Sequence, residues 1–141
     1  MDSREFLRQA AMAERELKTL KSLLDHFEDI GLSMSMPLGR TGSGQKGSSR
    51  VEAASIGMVD TEREIRAKIA EYSGIVKTAW KLINKIPQER YRRILSLHYL
   101  SGWSLQAVSD DLRYNDRNSI YRALRYALTE FDKVMAEAGI K

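Results

Sequence analysis

The sequence predicts an all-α fold: a long helical hairpin of coiled-coil type, followed by a module of three short helices. Three observations predict it. Only two prolines occur in 141 residues, and β-branched residues rarely run together, which suits helices better than strands. Two long stretches, separated by a segment rich in Gly and Ser, repeat apolar residues in steps of three and four. The last third is cut by Pro87, Gly102, Ser104 and Asp116 into three shorter pieces of the same period.

In the first long stretch, Asp2 or Ser3 can cap a helix that runs to Ile30, where Gly31 is the expected stop. Phe6, Ala10, Ala13, Leu17, Leu20, Leu24 and Phe27 form a heptad seam along it. From about residue 31 to 50 the composition shifts to Gly, Ser and Met, with Pro37, three cations (Arg40, Lys46 and Arg50) and no acid. Such a segment buries too little apolar surface to offset its ordering entropy, so a flexible loop is expected. Its Gly39 to Ser48 run lacks the Gly-Lys-Ser/Thr ending of a nucleotide-binding loop, and no strand precedes it. Nonspecific contact with a nucleic-acid backbone is a lesser expectation for its cations.

The second long helix is expected from Val51 to Ile86, with Val51, Ser55, Met58, Glu62, Ile65, Ile69, Tyr72, Val76, Ala79, Ile83 and Ile86 on its seam. At ~1.5 Å per residue it would span roughly 50 Å. Gly57 and Gly74 are weak points, and Glu62 is a charged flaw in the seam. Two seams joined by a flexible loop are most simply an antiparallel hairpin over 1–86, with the remainder, 87–141, as a second domain. Pairing of seams between chains is the rival arrangement. A two-fold homodimer would match the symmetry of many operators, and the sequence leaves monomer and dimer open. Ile75, Trp80 and Leu82 lie off the seam and are expected to support the second domain or another subunit.

In the second domain, Pro87 suits the first position of a helix that reaches Leu100, with Tyr91, Ile94, Leu95 and His98 on one face. Gly102 stops it. Ser104 can cap the next helix, which turns Leu105, Val108 and Leu112 inward and Gln106, Asp110 and Asp111 outward, with the small Ser109 where two helices must approach. Arg113, Tyr114 and Asn115 form a turn, and Asp116 can cap the third helix. There Ile120, Ala123, Leu124, Ala127, Leu128 and Phe131 recur at helical spacing. Arg117, Asn118, Ser119, Tyr121, Arg122 and Arg125 are left outside.

That outer face matches the side chains with which a helix in the major groove reads duplex DNA. Arg forks onto guanine, Asn onto adenine, and Ser and Tyr reach bases or backbone. Arg113 and Asn115, in the turn, are candidates for phosphate contacts. Between Arg113 and Leu128 four arginines stand against the single acid Asp116, a stripe suited to anchoring phosphate. Net charge is +4 and the pI near 9.4, values that permit nucleic-acid binding without requiring it. Two short helices joined by a tight turn, the second basic, make a helix-turn-helix.

The run Ile86-Pro87, Glu89, Arg90, Arg93-Ile94-Leu95, Leu97-His98-Tyr99, Gly102, Ser104, Val108 and Leu112, then Ile120-Tyr121-Arg122 and Ala127-Leu128, resembles region 4 of bacterial RNA polymerase sigma factors. With its helical arm and the ending up to Phe131, the chain is similar to small late-transcription regulators of phages and prophages of the ArpU type. The resemblance implies promoter-directed binding to double-stranded DNA, with Arg117, Asn118, Ser119 and Arg122 at base-reading positions and Tyr121 nearby, and bacterial RNA polymerase as a further partner. Two departures from that pattern are Arg113, where Gly or Asn is usual, and Ala107, where an acid is common before the Val108 position.

Other chemistry finds little footing. The absence of cysteine excludes disulfides and thiolate metal sites. MDSREFLRQ carries charges where a signal peptide needs an apolar core, and no stretch approaches ~20 apolar residues, so the cytoplasm is the expected compartment and no membrane partner is expected. His26 with Asp25, Glu28 and Asp29 reads as a solvated helix end, His98 as a packing or capping group, and Trp103 as a plug between the first two short helices. Asp110 and Asp111 diverge by about 100 degrees on a helix. No enzyme activity, metal or cofactor is expected. The expected function is transcription regulation through DNA. The alternatives are a small terminase subunit, which marks DNA for packaging, and an adaptor that binds polymerase and reads no DNA.

Overall fold

The structure, a computed structural model, describes residues 1–35 and 45–140, with side-chain surroundings for 1–30, 57 and 59–140. The chain is all-helical, and no strand occurs among the described residues. Among the described residues five α-helices follow one another: α1 (Ser3–Ser35), α2 (Gln45–Ile83), α3 (Glu89–Leu95), α4 (Leu105–Asp111) and α5 (Arg117–Glu137). No helix among the described residues is long and apolar enough to cross a membrane.

Several expected boundaries move, each for a local reason. Gly31 does not end α1, which runs on to Ser35, because a glycine inside a helix costs only about 1 kcal/mol relative to alanine. α2 starts at Gln45, before Val51, so the expected loop over 31–50 is helical at both ends. Its middle, including Pro37 and Arg40, lies outside the described residues, as do the side chains of Lys46, Arg50, Val51, Ser55 and Met58. At its other end α2 stops at Ile83, not Ile86. There Lys85 N–H bonds Leu82 O and Ile86 N–H bonds Ile83 O, a tightening consistent with Pro87, which disfavours helical backbone at the preceding residue.

Pro87 itself stands one residue before Gln88, the uncapped N-terminal flank of α3, and not at the first helical position. The guanidinium of Arg92 holds this corner, donating to the carbonyls of Ile86 at 2.6 Å and Pro87 at 2.9 Å. α3 does not continue as a regular helix to Leu100 either. Residues Ser96–Leu100 form a single π-helical turn closed by Ser101 N–H on Ser96 O, and Gly102, at φ 76°, ends it.

Packing divides the chain into two compact units, Met1–Arg15 with Ser73–Lys141, and Glu16–Tyr72. The sequence suggested a border between 86 and 87, yet the start of α1 and the end of α2 group with the short helices. Leu7, Leu82, Ile83 and Ile86 share a core with Ile94, Leu95, Tyr99, Val108, Ile120 and Phe131. Phe6 tilts against Phe131 at 5.8 Å between ring centroids. Asp2 caps α1 by accepting from Glu5 N–H at 2.7 Å, and the buried Ser3 donates its N–H to Asp132 of α5 at 3.0 Å. One orphan donor of the α1 terminus is thus satisfied from another helix. In the second unit Leu17 and Ile65 are buried, and Arg66 bridges to Glu28 at 2.9 Å.

Candidate nucleic-acid interface

The expected caps form. Ser104 Oγ accepts from Ala107 N–H at 3.1 Å to start α4, and Asp116 Oδ1 accepts from Ser119 N–H at 2.7 Å to start α5. Between them the chain turns through a two-bond C-terminal motif: Tyr114 N–H bonds Ser109 O at 3.0 Å and Arg113 N–H bonds Asp110 O at 3.3 Å. These are the six-to-one and five-to-two bonds of a Schellman cap, which need a left-handed residue at the position after the cap. Arg113 supplies it at φ 60°, the one described non-glycine residue with positive φ. An arginine thus stands where Gly or Asn would adopt the same backbone at less cost.

α5 then sorts its residues into two faces. Ile120, Ala123, Leu124, Ala127, Leu128, Phe131, Val134 and Met135 are buried, against α3 and α4. Arg117, Asn118, Tyr121, Arg122 and Arg125 are exposed, and Ser119 is half-buried. Arg117, Tyr121 and Arg125 succeed each other every four residues, a stripe ~12 Å long at 1.5 Å per residue, with Asn118 and Arg122 beside it. In the turn Arg113 and Asn115 are also exposed. No salt bridge among the described residues engages Arg113, Arg117, Arg122 or Arg125.

Asp116 is the only acid in this patch. Its carboxyl is held below the usual range, first by the backbone N–H of Ser119, then by the Ser119 hydroxyl, with the charge of Arg122 a smaller contribution. Ser119 is therefore engaged in capping, unlike its neighbours on the exposed face.

Two further contacts brace the module, and neither was read from the sequence. Arg93 on α3 grips Asp111 on α4 through Nε to Oδ2 at 2.6 Å and Nη2 to Oδ1 at 3.2 Å. This fork holds the Asp111 carboxyl below its ordinary range and pushes the Arg93 guanidinium up, the hydrogen bond being the main cause for both. Arg90 lies over the ring of Tyr114, its guanidinium carbon 5.0 Å from the centroid. Sequence spacing offers no signal for either pair, since charged residues on short helices are ordinarily solvated.

Before α4, the expectation for Trp103 is overturned. It is 39% exposed rather than plugged between helices. Its N–H bonds Leu97 O and its carbonyl lies 2.8 Å from His98 Nδ1, so the backbone is pinned on both sides of the Trp103 α-carbon, just after a left-handed Gly102, and the indole is carried outward. His98 is thus a capping group. In the second unit, Glu28 is committed to Arg66, and no group of three His, Cys, Asp or Glu among the described residues could hold a metal ion.

Charge is unevenly shared. The unit formed by Met1–Arg15 and Ser73–Lys141 carries fifteen Lys and Arg against ten Asp and Glu, a net of +5, whereas Glu16–Tyr72 carries eight against nine. The excess that sets the overall +4 thus belongs to the unit containing α5.

Compared with known proteins, the chain matches no family model, no curated protein and no solved structure.

Proposed function

We propose that this chain is a sequence-specific DNA-binding regulator of transcription, phage or prophage encoded, in which a helical hairpin precedes a helix-turn-helix similar to sigma factor region 4. α4 is the supporting helix and α5 the helix that enters the major groove. Arg117, Asn118 and Arg122 read base edges, Tyr121 and Arg125 contact bases or backbone, and Arg113 and Asn115 meet phosphates from the turn. Ser119 mainly orders the first turn of α5.

The observation that carries this function is the two-faced character of α5. Its apolar side is buried on α3 and α4, while Arg117, Asn118, Tyr121, Arg122 and Arg125 are presented together without an ion-pair partner among the described residues. A solvated helix face needs no such concentration of arginine, and a phosphate-lined groove does.

Selection of bound sites from random duplexes is the direct test, and it should return a defined motif. Arg122→Ala should then weaken binding to that motif by ~1 to 3 kcal/mol and relax the preference at one position, as a base-reading side chain does. Equal affinity of wild type, Arg117→Ala and Arg122→Ala for that duplex, at two salt concentrations, would refute DNA reading and favour an adaptor role.

A further inference from the structure

A second basic surface lies in the same compact unit, at the end of α2. No acid occurs from Tyr72 to Gln88, while Lys77, Lys81 and Lys85 follow at intervals of four. All three are exposed, and none takes part in a salt bridge among the described residues. Asn84 N–H still bonds Trp80 O at 3.0 Å, so the helical path carries past Ile83 to the turn holding Lys85. Within this ladder Trp80 is 54% exposed, and no hydrogen bond among the described residues uses its indole N–H.

Stability does not account for the pattern. Like charges four apart on a helix repel. A cation near a helix C-terminus gains from the helix dipole, but only within the last turn, which includes Lys81 and not Lys77. Trp80, for its part, gains nothing from exposure to water.

We infer that Lys77, Lys81 and Lys85, with Trp80 beside them, form a phosphate-binding ladder for duplex DNA flanking the site read by α5. This rests on the DNA-binding function proposed above. The partner chemistry is a regularly charged polyanion: ammonium groups on flexible stems, ~6 Å apart along the axis from Lys77 to Lys81 and continued by Lys85 in the turn that follows α2, suit successive backbone phosphates. They carry no base specificity, in contrast with the forked arginines of α5. The contribution to binding is therefore independent of sequence and sensitive to salt.

The test compares wild type with K77Q/K81Q/K85Q by fluorescence anisotropy, using a selected duplex extended by a full turn on each side and a scrambled one, across a salt series. Each phosphate that is no longer neutralised lowers the slope of log affinity on log salt by ~0.9. Removing all three cations should cut the slope by ~2.7, so that the fall in affinity between 50 and 200 mM salt shrinks by about 40-fold. The effect should be equal on both duplexes. A control variant of exposed cations in the other unit, K18Q/K21Q/R63Q, should leave the slope unchanged, and circular dichroism should show all variants folded. An unchanged slope in the ladder variant, with Arg122→Ala still relaxing base preference, overturns this inference while leaving DNA reading intact. Failure of wild type to bind either duplex overturns both. Loss of binding to phosphatidylserine vesicles with an unchanged DNA slope would assign the ladder to a membrane surface and refute it for DNA.

Discussion

Leu7→Ala tests whether the start of α1 is part of the core that supports α5. Leu7 is fully buried in a cluster with Ile83, Ile86, Ile94 and Phe131, large side chains that cannot close over the space left by three missing carbons. Leu to Ala at such positions costs about 2 to 5 kcal/mol, combining lost transfer energy and the residual cavity. The bulky surroundings argue for the middle of that range, ~3 kcal/mol. In a unit of roughly 85 residues, each kcal/mol moves the melting midpoint by about 4 to 8 °C. A fall of about 12 to 24 °C follows. Both tryptophans, Trp80 and Trp103, lie in this unit, so intrinsic tryptophan fluorescence during heating reports on it directly. Leu24→Ala, at a half-buried position in the other unit, should shift this signal far less. A fall of under ~4 °C for Leu7→Ala would mean that α1 is dispensable to the core and that the packing described is wrong.

Two more predictions concern the α4 to α5 connection. Arg113→Gly relieves a left-handed side-chain clash worth about 1 to 2 kcal/mol against roughly 0.5 to 1 kcal/mol of added backbone entropy in the unfolded chain, so urea denaturation should show a net gain of ~0.5 to 1 kcal/mol, and a loss would mean that the turn is not left-handed. The lowered carboxyls of Asp111 and Asp116 contribute stability that is fully present above the unfolded carboxylate value of about 3.9 and lost as pH falls through their lower folded values. Melting of wild type should therefore decline on acidification below about pH 4, and D111N/D116N, less stable at neutral pH, should show a shallower acid limb; identical acid limbs would rule out both contacts.

Local features of this fold were legible in the sequence, and long-range ones were not. The caps at Ser104 and Asp116 reach only three residues ahead, so residue type and position suffice to predict them. The exposed stripe on α5 was legible for a related reason, being the complement of an apolar pattern with an unbroken helical period. By contrast, Ser3 with Asp132, Phe6 with Phe131 and Arg93 with Asp111 join distant segments through residue types common on any helix. The border at 86 and 87 followed from a change of motif, which cannot reveal that Leu7 completes a core built mainly after Ser73. The π-helical turn at Ser96–Leu100 has no compositional signature, and with it went the placement of Trp103. Gly31 is the opposite case: a local stop signal worth about 1 kcal/mol does not end α1, which runs on to Ser35.

The two halves of α5 carry different burdens. Its second half holds the start of α1, through Phe131 and Asp132, while its first half, from Arg117 to Arg125, commits only its apolar side. Support therefore comes from the far end and the back of the helix, and the cations at its beginning need not be used in internal ion pairs. Among the described residues, the ion pair that fastens the short helices to one another, Arg93 with Asp111, joins α3 to α4 and draws nothing from α5. A helix supported this way can present unpaired arginines at fixed spacing without losing its place in the core, which is what reading a groove by side chains requires.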